Sequence, residues 1–261
     1  MKYENLLLSS DAAITTITLN RPDKRNALAL PMIRELHLAF EEVGNSDARG
    51  VIIAANGSVF SSGHYFGDLV SVTLAQAREL FDVCTRMMDA MQAMPQPVIA
   101  KVHALATAAG CQLVASCDLA VASDNASFAL PGGKAAHFCH TPLVAVARNV
   151  GRKRALEMAM TGDPVDAKTA ADWGLINRSV PADQLDAATL DLIQRASRGG
   201  ALSKAMGKRA FYRQIDMTQD QSYDFAAGVI AEATVTPDAQ EQFAAFLEKR
   251  QPVFSQKPAR R

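Results

Sequence analysis

The 261-residue chain has no excess charge of either sign, because 27 Lys and Arg balance 27 Asp and Glu. A general nucleic-acid binder needs a basic face that neutralises phosphates, so no nucleic-acid partner is expected. The basic PARR at 258–261 is too short to change that balance and reads as a solvated tail. Long apolar runs are also missing. None reaches the roughly 18–20 residues of a membrane span, and MKYENLLLSSDAAITTITL holds no apolar segment of signal-peptide length. Cysteine is scarce, and Cys84, Cys111, Cys117 and Cys139 lack close paired metal spacing. They read as reduced, mostly buried thiols. No Gly- or Pro-rich linker divides the chain and no repeat period appears. The expectation is a soluble, cytoplasmic protein with no membrane span and no bound metal.

What is present is ample core material, 49% of residues being hydrophobic. ITTITL (14–19) and VIIAAN (51–56) are short, β-branched and flanked by turn formers, and PVIAKV, LAVAS and SFAL have similar strand character. LALPMIRELHLAFEEV has apolar positions at helical spacing, and Val72–Met94 forms a long amphipathic pattern that stops before Pro95. After Pro142 the pattern is mostly helical: PLVAVARNVG, KRALEMAMTG, AKTAADWGL, LDAATLDLIQRASR and ALSKAMGKRAFYRQI. This alternation predicts an α/β fold with parallel strands joined by helices. A core over 1–195 and a C-terminal helical segment over 196–261 are expected. The last predicted helix, PDAQEQFAAFLEKR, carries a stripe of Phe243, Phe246 and Leu247.

Three stretches carry chemical information. NRPDKRNAL (20–28) clusters Arg21, Lys24 and Arg25 on a turn, which suits phosphates but equally suits a solvated turn. In VFSSGHYFGDL (59–69), small Ser61, Ser62 and Gly63 leave the backbone approachable by an anionic oxygen. His64 in that loop is a candidate imidazole or a satisfied loop histidine. In ALATAAGCQL (104–113), small residues lead a strand into a helix and leave N–H groups unpaired at the helix start. Tight helix–strand packing also calls for small residues there.

Taken together, NRPDKRNAL, FSSGHYFGDL, HALATAAGCQLVASCDLAVAS, SFALPG, TGDPVDAKTAADWGLINRSVP and AAFLEKR resemble, in order and spacing, the crotonase superfamily, the enoyl-CoA hydratase/isomerase family. The resemblance covers essentially the whole chain. FSSGH and ATAAGCQL look closest to the enoyl-CoA hydratase domain-containing branch. It implies a spiral of ββα units with C-terminal helices that support homotrimers or hexamers. It also implies an acyl-CoA thioester of the kind used in fatty acid metabolism, with coenzyme A as part of the substrate and no other cofactor. By position, the N–H groups of His64 and Ala109 match the oxyanion hole, where two preorganised donors stabilise charge developing on the thioester oxygen. The resemblance places Lys24 and Arg25 near the CoA phosphates, and Ala27, Ser62, Gly63, Gly110 and Gly132 along the bound ligand. Phe246 and Lys249 match residues that close over the adenine end, sometimes from a neighbouring subunit.

The departures concern proton handling. The family's two hydratase glutamates are replaced by Gln112 and Gly132. An amide orients water but has no accessible pKa for base work, and glycine offers only backbone. Because such pairs act as a unit, efficient hydration is not expected. Tyr65 replaces the usual acid after the first oxyanion position, and Ala108 and Ala109 replace glycines. KAAHFCHTP (134–142) brings His137, Cys139 and His140 into the region, where a Cys–His pair is a candidate nucleophile and base, or where the three serve as packing ahead of a helix start. A zinc site there lacks a fourth ligand. Two readings stay open: an acyl-CoA enzyme of altered chemistry (an isomerase, thioester hydrolase or weak hydratase), and a non-catalytic acyl-CoA binding protein.

Overall fold

The computed structural model describes residues 3–255, so the PARR tail lies outside the described residues. The elements run β1 (Leu6–Asp11), β2 (Ile14–Leu19), α1 (Leu30–Gly44), β3 (Gly50–Ala55), α2 (Leu74–Ala93), β4 (Val98–Val102), β5 (Ala106–Thr107) and α3 (Ala109–Ser116). They continue with β6 (Leu119–Ser123), β7 (Ser127–Ala129), α4 (His140–Val150), α5 (Arg152–Thr161), β8 (Val165–Asp166) and α6 (Ala167–Trp173). β9 (Arg178–Val180), α7 (Leu185–Ala196), α8 (Ala201–Gln214), α9 (Gln219–Thr234) and α10 (Pro237–Leu247) complete the described chain.

The main sheet has the order β1-β2-β3-β4-β6-β9, antiparallel only between β1 and β2. Strand alternation decides which layer each residue joins. In β3, Val51 and Ile53 enter the large core with α1 and α2, while Ile52 and Ala54 face a smaller core closed by Leu185 and Ile193 of α7. Helix α2 starts where its capping chemistry dictates. Thr73 Oγ1 accepts from the Gln76 N–H, and Gln76 Oε1 accepts from the Thr73 N–H.

A second, shorter ladder crosses the chain after each main strand. Leu28 bridges His64, Ser61 bridges Ala106, β5 pairs with β7, and β7 pairs with β8. Each turn of chain therefore gives one strand to the main sheet, one short segment to this ladder, and then a helix. That is the expected spiral of ββα units, and it brings the 61–64 and 106–109 segments side by side.

The edge strand β1, the short β9 and the helix α9 have no counterpart in the periodicity reading. The stripe on α10 is exposed: Phe246 keeps 77% and Leu247 80% of its surface. Helices α8 and α9 bury no residue fully. Helix α8 is nevertheless tied to the core. Lys208 Nζ lies 2.6 Å from Asp118 Oδ2 and donates to the Gln96 carbonyl at 2.9 Å, and Tyr212 donates to Asp118 Oδ1 at 2.7 Å. Burial pulls the Lys208 ammonium below its ordinary value, opposed by the attraction of Asp118.

Candidate active site

The basic turn is built on Asn26, a residue the sequence reading passed over. Asn26 is fully buried at φ 49°, a left-handed conformation that asparagine tolerates better than most residues. Its Oδ1 accepts from the Arg21 N–H at 2.9 Å, and its Nδ2 donates to the carbonyls of Asn56 (2.7 Å) and Val59 (3.1 Å). Its own carbonyl accepts from Ser61 Oγ at 2.8 Å. The turn and the 56–61 loop thus form one hydrogen-bonded body. Lys24 and Arg25 sit on its outside with exposed side chains, while Ala27 is buried beneath them.

The 61–64 loop is held from both sides. Leu28 N–H donates to the Gly63 carbonyl at 2.7 Å, Thr107 N–H to the Ser61 carbonyl at 3.0 Å, and Ser62 N–H to the Arg25 carbonyl at 3.1 Å. Gly63, at φ 86°, is required sterically as well. A Cβ there would lie 2.8 Å from Ala108 Cβ and 3.2 Å from Ala109 N. Gly110 is packed just as closely, since a Cβ on it would lie 2.6 Å from the Ser61 carbonyl oxygen. The two candidate oxyanion segments are therefore in van der Waals contact. The backbone N–H groups of His64 and Ala109 have no acceptor among the described residues. Ala108, at φ 51° and ψ −121°, holds a conformation that glycine adopts without strain, and this aims the following N–H of Ala109.

The His64 side chain faces away from bulk water. Nδ1 approaches the Leu28 carbonyl at 3.4 Å, and the buried Nε2 has no hydrogen-bond partner. Phe81 meets the imidazole edge-on at a centroid distance of 5.3 Å, and His137 stacks on Phe81 at 6.2 Å. Burial holds the imidazole below its ordinary pKa, against the upward pull of the Leu28 carbonyl. Gln112 is 6% exposed on α3, and its Oε1 is buried and unpartnered.

The opposite side is closed by chain rather than lined by carboxylates. A Cβ on Gly132 would overlap the His137 carbonyl oxygen and lie 2.8 Å from Cys139 N. The 137–139 backbone therefore occupies the space that a side chain at position 132 would take. Cys139 is buried, and its Sγ accepts from the Gly132 N–H at 3.4 Å. Burial pushes its thiol up, against the weaker pull of that N–H. His140 opens α4 with an exposed side chain, and its ring meets Phe138 at 5.3 Å. The candidate Cys139–His140 dyad is not assembled, because the thiol faces Gly132 and the imidazole faces solvent. Phe246 and Lys249 are exposed on and just beyond α10, which packs on α9. No group of three or more His, Cys, Asp or Glu among the described residues is placed to hold a metal ion.

Asp118 and Lys208 also escaped the sequence reading, although a lone carboxylate inside the apolar run LVASCDLAVAS signals a buried partner. Phe81 carried no such signal, since it reads as one more apolar position of α2.

Comparison with known proteins identifies relatives of this chain in sequence and fold. The enoyl-CoA hydratase/isomerase family model matches residues 9–257. The mouse enoyl-CoA hydratase domain-containing protein 3, mitochondrial, is 43% identical over 93% of this chain and 81% of its own length. A crystal structure of an enoyl-CoA hydratase from Mycobacterium smegmatis superposes with a TM-score of 0.93 at 42% identity, over 96% of this chain and 98% of that one. Human enoyl coenzyme A hydratase domain-containing protein 3 superposes with a TM-score of 0.90 at 40% identity, over 96% and 100% of the two chains.

These relatives overturn the expectation of a cytoplasmic location, since the mouse, frog and human proteins all carry the designation mitochondrial. Four free thiols cannot separate one reducing compartment from another, so the cysteine argument does not support that location. By family match, identity and fold, the chain belongs to the enoyl-CoA hydratase/isomerase family.

Proposed function

We propose that the protein binds an acyl-CoA thioester, with the carbonyl oxygen between the backbone N–H groups of His64 and Ala109. The observation that carries this reading is the pair of unpaired donors on adjacent ladder segments, pressed together at Gly63 and Ala108. Each such donor is worth on the order of 3 kcal/mol when charge develops on the oxygen. Lys24 and Arg25, exposed on the turn that Asn26 anchors, meet the CoA phosphates, and Ser62 and Gly63 lie along the pantetheine side. Phe246, Lys249 and the exposed C-terminal helices fit a homotrimer or hexamer in which a neighbouring copy completes the adenine end.

The chemistry this arrangement favours is enolate-forming, in the isomerase or lyase class. Ordinary hydration is inefficient, because Gln112 cannot serve as a base and Gly132 is blocked by the 137–139 backbone. The same two positions, with the protonated Cys139 thiol, favour the second reading, a non-catalytic acyl-CoA binding protein.

The experiment is titration of the purified protein with acyl-CoA thioesters of increasing chain length, followed by product analysis. Binding that weakens with salt, and by about tenfold when Lys24 and Arg25 are both replaced by alanine, is the expected result. No binding of any thioester would overturn the proposal. Binding without turnover of any thioester would select the second reading.

A further inference from the structure

The imidazole of His64 meets a carbonyl at one ring nitrogen and no partner at the other. A carbonyl oxygen only accepts, so the contact between Nδ1 and the Leu28 carbonyl puts the proton on Nδ1. Nε2 is then left with a lone pair, buried and without a partner. A second orphan points the same way. Gln112 Oε1 on α3, the helix that begins at Ala109, is also a buried acceptor with nothing to accept from. Buried polar atoms without partners are uncommon, and these two acceptors, one on each of the segments that carry the candidate N–H donors, call for a ligand or water that brings hydrogens.

From this geometry we infer that His64 serves the bound thioester twice, its backbone N–H holding the carbonyl oxygen and its Nε2 removing a proton from the carbon next to that carbonyl. The inference rests on the acyl-CoA reading above. In the step, the Cα–H bond breaks and the proton passes to Nε2. The electron pair forms the carbon–carbon double bond of the enolate, and the carbonyl π electrons move to the oxygen held by the His64 and Ala109 N–H groups. Return of a proton from the imidazolium restores the thioester, at the same carbon or, in an enoyl substrate, at the far end of the conjugated system. No redox partner is needed. Gln112 Oε1 accepts a hydrogen bond from a water or hydroxyl beside the reacting carbon and takes no proton.

The surroundings suit a neutral base. Desolvation disfavours the imidazolium, His137 across Phe81 adds to that effect, and Asp68 and the Leu28 carbonyl oppose it. Phe81 packs edge-on against the ring, and His137 stacks on the Phe81 ring. A base whose protonated form is destabilised stays available at neutral pH.

The test is exchange of the α-protons of butyryl-CoA in heavy water, read by mass spectrometry, beside binding of the same thioester by calorimetry. His64→Gln and His64→Ala both retain the backbone N–H. The expected result is that both variants bind butyryl-CoA within about threefold of the parent while exchange falls at least about 100-fold. In the parent, exchange falls with decreasing pH through one inflection below the ordinary imidazole value. Exchange that is absent in the parent, or unchanged in His64→Gln with binding intact, overturns the inference and leaves the binding reading standing. Loss of butyryl-CoA binding in the parent overturns both. His64→Gln guards against a folding defect of the smaller variant, and a far-ultraviolet spectrum matching the parent is required of each.

Discussion

In one part of the candidate site, the segments carrying His64 and Ala109 are stitched by Asn26, Ser61 and the Leu28–Gly63 bond, and every close approach falls on a small residue. In the other part, the stretch from Pro131 to His140 is a 3-10 turn and following chain whose residues 133–137 are exposed, held at Gly132 by backbone and the buried Cys139 thiol. The first part fixes two N–H donors, and the second supplies no carboxylate. The half proposed to hold the carbonyl is specified by packing and hydrogen bonds, while around Gly132 main chain takes the space a side chain would need. Stabilising charge on oxygen demands preorganised geometry, whereas a base can be supplied from another position.

The largest effect that separates the two parts is expected at Asn26. Asn26→Ala removes three side-chain hydrogen bonds, strands buried backbone groups and places alanine at positive φ. A loss of about 4 kcal/mol in urea unfolding is expected, with acyl-CoA binding weakened in any folded remainder. A loss below about 1 kcal/mol would show that the turn and loop are held by something else.

Next comes the double change Gln112→Glu with Gly132→Glu. On sequence grounds, restoring both carboxylates should restore hydration. The structure reverses that expectation, because the new Cβ at position 132 collides with His137 and Cys139 backbone. The double variant is expected to lose about 2–3 kcal/mol of stability and gain no crotonyl-CoA hydration. A gain of orders of magnitude would mean that the 133–139 segment moves aside readily.

The smallest effect is expected at Ala108, whose strained conformation glycine adopts freely. Ala108→Gly relieves about 1 kcal/mol, partly offset by the greater freedom of the unfolded chain, and the midpoint rises by roughly 2 °C in a thermal melt. A fall in midpoint would place the strain elsewhere.

Much of this was legible in the sequence, and for physical reasons. The strand over Ile14–Leu19 and the helix over Leu74–Ala93 follow from periodicity and capping, which are local. Tight packing, one of the two readings of the small residues over 104–113, is what Gly110 serves, since a Cβ there would lie 2.6 Å from the Ser61 carbonyl oxygen. What stayed hidden depends on distant partners. Asn26 looks like an ordinary turn residue until Asn56 and Val59 are brought to it. The proximity of Cys139 and His140 in sequence suggested a dyad, yet a one-residue step at a helix start turns the two side chains in different directions. The clash at Gly132 exists only because residues 137–139 fold back over it.

The most direct test of the central claim is the infrared carbonyl stretch of a thioester labelled with carbon-13 at its carbonyl, bound as butyryl-CoA to the protein. Two donors from His64 and Ala109 should polarise that carbonyl and shift the band clearly to lower frequency than in free butyryl-CoA. A bound thioester whose band does not move would contradict the account.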